Sequence, residues 1–152
     1  MLSKRTDVPE SFSPGIAWAA GFCDGEGCIH IARQVCSRGR GEAFSLRLHV
    51  TQNCPRTLLH FQATVGGRGK LYATQRQLNH RKQCYTLNFD GLQAFKVIEE
   101  LRPHLVRKRV EADLAREYWI NGMGGVKFGR RGVPDDIHQL RSDLYLRMQS
   151  VK

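Results

Sequence analysis

Hydrophobic residues recur with a helical period near the start of this chain of 152 residues. The apolar run 16–23 follows Ser13 and Pro14, which suit the N-cap and the first turn of a helix. Gly25 and Gly27 are predicted to end this helix, because glycine disfavours its continuation.

Directly after this helix the apolar period changes to two, which is typical of β-strands. Ile29 and Ile31 alternate with polar or small neighbours, and a basic turn follows at 37–41. The next strand has a polar, basic face and an apolar face, and the apolar residues are Phe44, Leu46, Leu48 and Val50. We therefore predict a hairpin with one buried and one open face.

A helix and a second hairpin follow in the same order. The helix is predicted over 53–65, where apolar residues return to helical spacing. The hairpin is predicted over 70–89, with Leu71 and Ala73 facing the core and polar residues facing outward.

Helical patterns dominate the rest of the chain. Asp90 is predicted to cap one helix, and further helices are predicted over 107–121 and from residue 134, with a glycine-rich basic loop at 122–132 between them. The predicted order is αββαββα with one further C-terminal helix. This order indicates an α+β domain, in which helices cover one face of a four-stranded antiparallel sheet.

Length and composition fit one compact domain. We expect a single domain over 1–152, with an N-terminal extension at 1–12, a core at 13–121, and a basic loop and C-terminal helix at 122–152. No apolar run approaches the ~20 residues of a membrane helix, and the first ten residues lack the apolar stretch of a signal peptide. These features argue against a membrane or secreted protein.

The cysteines and histidines show no metal-binding pattern along the chain. The five cysteines form no Cys-x-x-Cys pair, and the six histidines are scattered. Spacing therefore predicts neither a disulfide framework nor a zinc site. We expect the protein to reside in a reducing intracellular compartment.

Positive charge is concentrated in the two hairpins. Between residues 27 and 89, ten basic residues accompany one acid, Glu42, within a chain of net charge +10. An antiparallel sheet can simply leave one face in water, but solubility does not require such a separation of sign. A basic β-ribbon can instead enter the major groove of DNA. The predicted DNA-binding residues are His30, Gln34, Arg38, Arg40, Arg47, His49, Arg68, Lys70, Tyr72, Thr74, Arg76 and Thr86.

The first helix combines a stripe of small residues with acids at its end. Ala17, Gly21 and Gly25 recur every four residues, which lets a second helix approach closely. Asp24 and Glu26 stand where the helix dipole is negative. A hard divalent cation would offset this charge, binding a Glu26 carboxylate oxygen and the Gly25 carbonyl. An acidic turn that merely ends a core helix is the alternative.

The segment 20–29 reads Ala-Gly-Phe-Cys-Asp-Gly-Glu-Gly-Cys-Ile and resembles the signature of single-motif LAGLIDADG homing endonucleases. The resemblance covers about 16–121, including the αββαββα order of the homing-endonuclease fold. It implies that the signature helices of two copies pack together and that the acid at the helix end binds the catalytic metals. Gly25 and Glu26 are then the metal ligands, and the expected dimer-interface residues are Ala17, Gly21, Phe22 and Asp24.

Further matches to this family imply three more catalytic residues beside Glu26. Thr51-Gln52 followed by Arg56 resembles the segment in which a glutamine orders water near the metals and an arginine meets that water network or a phosphate. The segment 103–108 resembles the one ending in the active-site lysine, here Lys108. Without the signature, Gln52 and Arg56 would be polar groups at a helix start, and Lys108 would belong to a basic trio.

The sequence contains one copy of the signature, so one chain supplies half of a site. The resemblance therefore implies a homodimer that makes a staggered cut in pseudo-palindromic double-stranded DNA. It implies Mg²⁺ as cofactor, with Mn²⁺ as a substitute, and no small-molecule cofactor or membrane partner. Family members of this size are usually intron-encoded, which makes a chloroplast or mitochondrion one candidate location.

Other functions would use some of the same residues. An RNA maturase or a non-cleaving DNA-binding regulator would retain the fold without cutting DNA. The set Glu26, Gln52, Arg56 and Lys108 favours the nuclease, because a pure binder does not need it. A general RNA- or ribosome-associated basic protein would explain the charge but not the signature.

Overall fold

The computed structural model describes residues 14–37, 41–74 and 82–152. Its elements, in chain order, are α1 (Pro14–Glu26), β1 (Gly27–Val35), β2 (Glu42–Gln52), α2 (Pro55–Thr64), β3 (Lys70–Ala73), β4 (Tyr85–Asp90), α3 (Leu92–Leu101), a 3₁₀ turn (Arg102–His104), α4 (Arg109–Ile120) and α5 (Asp135–Ser150). The predicted α+β class and αββαββα order are confirmed. The helices predicted over 107–121 and from residue 134 are α4 and α5, so two helices follow that unit and the predicted count of one is wrong.

The strands form one antiparallel sheet in the order β1-β2-β4-β3. The two hairpins therefore meet through β2 and β4 at the centre of the sheet. Apolar residues on one face are buried under the helices, as the alternation predicted; they are Ile29, Ile31, Leu46, Leu48, Val50, Leu87 and Phe89. Burial of each such side chain stabilises the fold by about 1.5–3 kcal/mol. The opposite face of the sheet carries no helix among the described residues, and we call it the open face.

Helix α5 extends the core beyond the αββαββα unit. It packs against α4 and β1 and buries Leu144 and Met148. Arg141 on the same helix is also buried and donates hydrogen bonds to the carbonyls of Gly122 and Met123, both at 2.7 Å. The charge is tolerated because these carbonyls follow the C-terminal end of α4, where a cation is favourable.

Two predicted details are wrong, one in the second hairpin and one directly after it. Asp90 does not cap α3, since it is the last residue of β4 and its carboxylate pairs with Arg47. Gly91, with a φ of 57°, makes the turn into α3 instead. Ala73 is exposed because it ends a short edge strand.

No helix in the described ranges is both long and apolar enough to cross a membrane. Ser13 and the N-terminal extension lie outside the described residues, as does most of the turn between β3 and β4.

Candidate active site and nucleic-acid interface

The end of α1 is joined to the sheet without a linker. Glu26 is the exposed last residue of the helix, and Gly27 is already the first residue of β1. A Cβ atom at Gly27 would lie 2.6 Å from the Cys23 Sγ atom and 2.8 Å from the Cys23 carbonyl oxygen. Only glycine fits this junction, which therefore fixes the backbone of Glu26 relative to the sheet.

Asp24 ties the end of α1 to the segment that precedes α4. Its carboxylate accepts hydrogen bonds from the backbone N–H groups of Val106, at 2.8 Å, and Lys108, at 2.9 Å. Partial burial opposes ionisation of Asp24, but these backbone hydrogen bonds outweigh burial and lower its pKa. Asp24 was predicted at the dimer interface, and within the single chain its carboxylate accepts these two hydrogen bonds.

The Lys108 side chain lies against the same end of α1. It is 7% exposed, and its ammonium group donates to the Asp24 carbonyl oxygen at 2.5 Å. The Arg107 guanidinium reaches that carbonyl at 3.4 Å. A cation here satisfies one of the last carbonyls of the helix and its negative dipole. Lys108 also lines a cavity of about 200 Å³ together with Gly25, so the structure brings it to the predicted metal-binding segment.

Gln52 and Arg56 lie at the same end of the sheet as Glu26. Gly27, the first residue of β1, pairs with Val50 near the end of β2. Glu26, which precedes Gly27, and Gln52, which ends β2, therefore lie at the same end of the sheet. The Gln52 Oε1 atom accepts the N–H of its neighbour at 2.8 Å, and Arg56 is exposed in the first turn of α2. Within the described ranges, neither Glu26 nor Arg56 forms an ion pair.

The predicted dimer face of α1 is largely uncovered by the part of the chain that the structure describes. The buried side of α1 contains Ala19, Ala20 and Cys23. Gly21 and Gly25 are exposed, and a Cβ atom built on either would meet nothing within 4 Å beyond its own helix. Ala17 and Phe22 are half-buried. The Phe22 ring stacks on Trp18 at 5.3 Å, so it is packed within the chain.

Strand register places the open-face residues in rows. One row crosses all four strands and contains Cys28, His49, Asn88 and Lys70. In the next row Arg47 stands between His30 and Asp90. The Arg47 Nε atom lies 3.2 Å from the Asp90 Oδ1 atom, and both side chains are about half exposed. Such a pair is weak in water, so a phosphate can replace the aspartate.

The remaining DNA-binding candidates differ in position. Gln34, Lys70 and Tyr72 are exposed on the open face, whereas Thr74 is half-buried. Thr86 is 8% exposed, and its hydroxyl group contacts the hydroxyls of Thr51 at 3.0 Å and Thr74 at 2.8 Å. Sequence alternation predicted an outward Thr86 but not this hydroxyl cluster.

Arg68 lies on the helical side of the sheet. Its guanidinium pairs with Glu100 of α3 at 2.7 Å, because the loop before β3 passes close to that helix. For Arg68 to bind DNA as predicted, a phosphate must therefore displace Glu100 from the Arg68 guanidinium. Arg38, Arg40 and Arg76, also predicted to bind DNA, lie outside the described residues.

His30 and His49 on the open face have lowered pKa values, which favour the neutral imidazole. Burial, assisted by repulsion from His49, Lys152 and Arg47, lowers the pKa of His30 to about 4. Burial, assisted by Lys152, also lowers the pKa of His49. Neutral imidazoles offer hydrogen bonds or metal coordination but no charge for phosphate.

Comparison with solved structures places this arrangement among known proteins. The archaeal intron-encoded homing endonuclease I-Vdi141I, solved with DNA, matches with a TM-score of 0.73 over 90% of this chain and 83% of that chain, at 16% identity. I-CvuI, solved with its target in the presence of Ca, matches with a TM-score of 0.67 over 90% and 81%, at 19% identity. This chain has the LAGLIDADG homing-endonuclease fold.

This chain also matches the LAGLIDADG homing endonuclease I-SmaMI, solved bound to cleaved DNA, with a TM-score of 0.68 and 16% identity. That match covers 88% of this chain but only 43% of I-SmaMI. Comparison with protein-family models gives no match, and neither does comparison with curated proteins. The resemblance is therefore one of three-dimensional structure, beyond the short signature in α1.

Proposed function

We propose that this protein is a homodimeric, Mg²⁺-dependent LAGLIDADG homing endonuclease that cuts both strands of a pseudo-palindromic DNA site. One observation carries the proposal: the signature lies on α1 of a LAGLIDADG fold and ends in the exposed carboxylate of Glu26. The DNA complexes of the structural neighbours support double-stranded DNA as the substrate.

The donor atoms at the end of α1 suit a hard divalent cation. The Glu26 carboxylate and the Gly25 carbonyl would hold Mg²⁺, which prefers oxygen ligands. The bound cation would lower the pKa of a water molecule and offset charge on the scissile phosphate. Lys108, held against the carbonyl of Asp24, presents positive charge beside this position.

The exposed stripe on α1 supports a two-fold arrangement. Gly21 and Gly25 leave space for a second helix, and each chain has one signature. A dimer would bring two Glu26 carboxylates together and place the two open faces along one duplex. We propose that the open face binds the major groove, with Arg47 and Lys70 on phosphates and Gln34 and Tyr72 near bases.

A cleavage selection from a randomised duplex library tests the activity. With Mg²⁺ we expect a pseudo-palindromic sequence to be cut in both strands, and with a chelator we expect no product. DNA binding without cleavage under any divalent metal would favour a regulator on the same fold. Selective binding of structured RNA, with no cut duplex, would favour the maturase.

Lys70 gives a specific test of the open face. Replacement of Lys70 by glutamine should weaken DNA binding several-fold and reduce the slope of log affinity against log salt by about 0.9, since one phosphate contact is lost. Lys96→Gln is the matched control, because Lys96 is equally exposed but belongs to α3 on the helical side. Fluorescence anisotropy titrations at several salt concentrations measure both effects. An equal change in the two variants would refute the open face as the DNA surface.

A further inference from the structure

Three side chains capable of binding a transition metal meet on the open face. Cys28, His30 and His49 each offer one ligand atom, and these atoms lie within 4.8 Å of one another. The Cys28 Sγ atom is 3.8 Å from the His30 Nδ1 atom, and the two histidine rings are 5.2 Å apart with perpendicular orientation. All three residues are half-buried.

The sheet itself builds this cluster. Cys28 and His30 are two residues apart on β1 and therefore share a face. His49 lies directly opposite Cys28 in the ladder of β1 and β2. Paired strands hold side chains more firmly than a surface loop does, so the three ligands are preorganised.

We propose that Cys28, His30 and His49 bind one zinc ion, with a water molecule as the fourth ligand. Tetrahedral zinc with sulfur at about 2.3 Å and nitrogen at about 2.0–2.1 Å keeps its ligand atoms roughly 3.3–3.6 Å apart. The Cys28 Sγ atom and the His30 Nδ1 atom, 3.8 Å apart, are close to this range, and rotation of the side chains would bring the whole set, now within 4.8 Å, to it. One thiolate and two imidazoles suit zinc, whereas the oxygen donors at Gly25 and Glu26 suit magnesium.

The ammonium group of Lys152 lies next to the cluster. The Lys152 ammonium donates a hydrogen bond to the Cys28 Sγ atom at 3.5 Å. This lysine is exposed and flexible enough to turn aside when zinc takes its place.

The proposed zinc would connect the first two strands of the sheet. It would also occupy two histidines that otherwise face the DNA groove, so the ion and base contacts compete for the same rings. Neither consequence is needed for zinc binding, which the free protein can show without DNA. The inference therefore stands or fails independently of endonuclease activity.

Cobalt substitution tests the ligand set directly. Titration of the full chain with Co²⁺ should give one equivalent per chain and an intense sulfur-to-cobalt charge-transfer absorption, which added Zn²⁺ should abolish. Cys28→Ser should eliminate this absorption, and His49→Ala should weaken Co²⁺ binding about 100-fold or more. Cys54→Ser is the matched control, because Cys54 is exposed before α2 and remote from the cluster in sequence. Glu26→Gln should leave the absorption unchanged, which separates this site from the proposed magnesium site.

Alkylation of the unmodified protein provides a test that does not depend on folding of a variant. Zn²⁺ should slow the reaction of Cys28 with iodoacetamide at least tenfold while Cys54 reacts at an unchanged rate, as measured by mass spectrometry of peptides. At 100 times its dissociation constant, Zn²⁺ should also raise the Tm by about 5–10 °C. Equal Cys28 alkylation with and without zinc, or an undiminished cobalt absorption in Cys28→Ser, would overturn the proposal.

Discussion

Replacement of Glu26 by glutamine should lower the rate of DNA cleavage in Mg²⁺ about 1000-fold or more. Glutamine has nearly the same shape as glutamate, but its neutral amide is a poor ligand for a hard cation. Loss of about 4 kcal/mol of transition-state stabilisation corresponds to this factor. DNA affinity should stay within a few-fold, because Glu26 stands at the end of α1 and not on the open face. Single-turnover cleavage and anisotropy titration in Ca²⁺ measure the two quantities separately.

Glu100→Gln is the matched control for this substitution. It removes the same charge from an exposed position on α3, where the carboxylate pairs with Arg68. Exposed ion pairs of this kind contribute about 0–1 kcal/mol, so cleavage should be nearly unchanged. A Glu26→Gln protein that cleaves at the wild-type rate would exclude Glu26 as a metal ligand, even if the protein proved to be an endonuclease.

Replacement of Gly21 by leucine should convert the protein to a monomer and reduce cleavage below detection. A Cβ atom at Gly21 meets nothing within 4 Å among the residues that the structure describes, so these residues leave room for the larger side chain. Leucine also has a higher helix propensity, and the free energy of unfolding should not fall. In the dimer, however, the leucine would occupy the space into which the partner helix packs.

The expected rise in the dimer dissociation constant is about 30-fold or more. Overpacking costs about 1–3 kcal/mol per site, and two-fold symmetry introduces the substitution twice. Sedimentation equilibrium measures the dissociation constant, and thermal unfolding checks the fold. Ala63→Leu is the control, since Ala63 is an exposed small residue on α2. A Gly21→Leu dimer as tight as the wild type would locate the interface elsewhere on the surface.

Local pattern predicted the elements of this fold but not all of their contacts. The alternation at Ile29, Ile31, Leu46 and Leu48 identified the buried face, because side-chain direction in a strand has a period of two. The same reasoning failed at Ala73, since alternation gives a face and not the extent of the helices that cover it. The prediction that Asp90 caps α3 was wrong, because the Asp90 carboxylate pairs with Arg47 on the neighbouring strand.

The candidate site was likewise predicted only in part from the sequence. Glu26 was found through the signature, which is contiguous in sequence. The Asp24 contacts with Val106 and Lys108 join residues more than 80 positions apart, and no local pattern encodes them. The cluster of Cys28, His30 and His49 was missed for a related reason. His49 meets Cys28 only in one register of the β1–β2 hairpin, and a shift of one residue would turn it to the other face.

The sequence by itself determined the α+β class, the αββαββα order and the position of the acidic signature at the end of a helix. These properties follow from hydrophobic period, turn residues and a short contiguous motif. Only the tertiary structure decided that Asp24 is held within the chain, that Arg68 pairs on the helical side, and that a thiol and two imidazoles converge on the open face. Each of these depends on strand register or on long-range packing, in which the choice of partner is made by the whole fold.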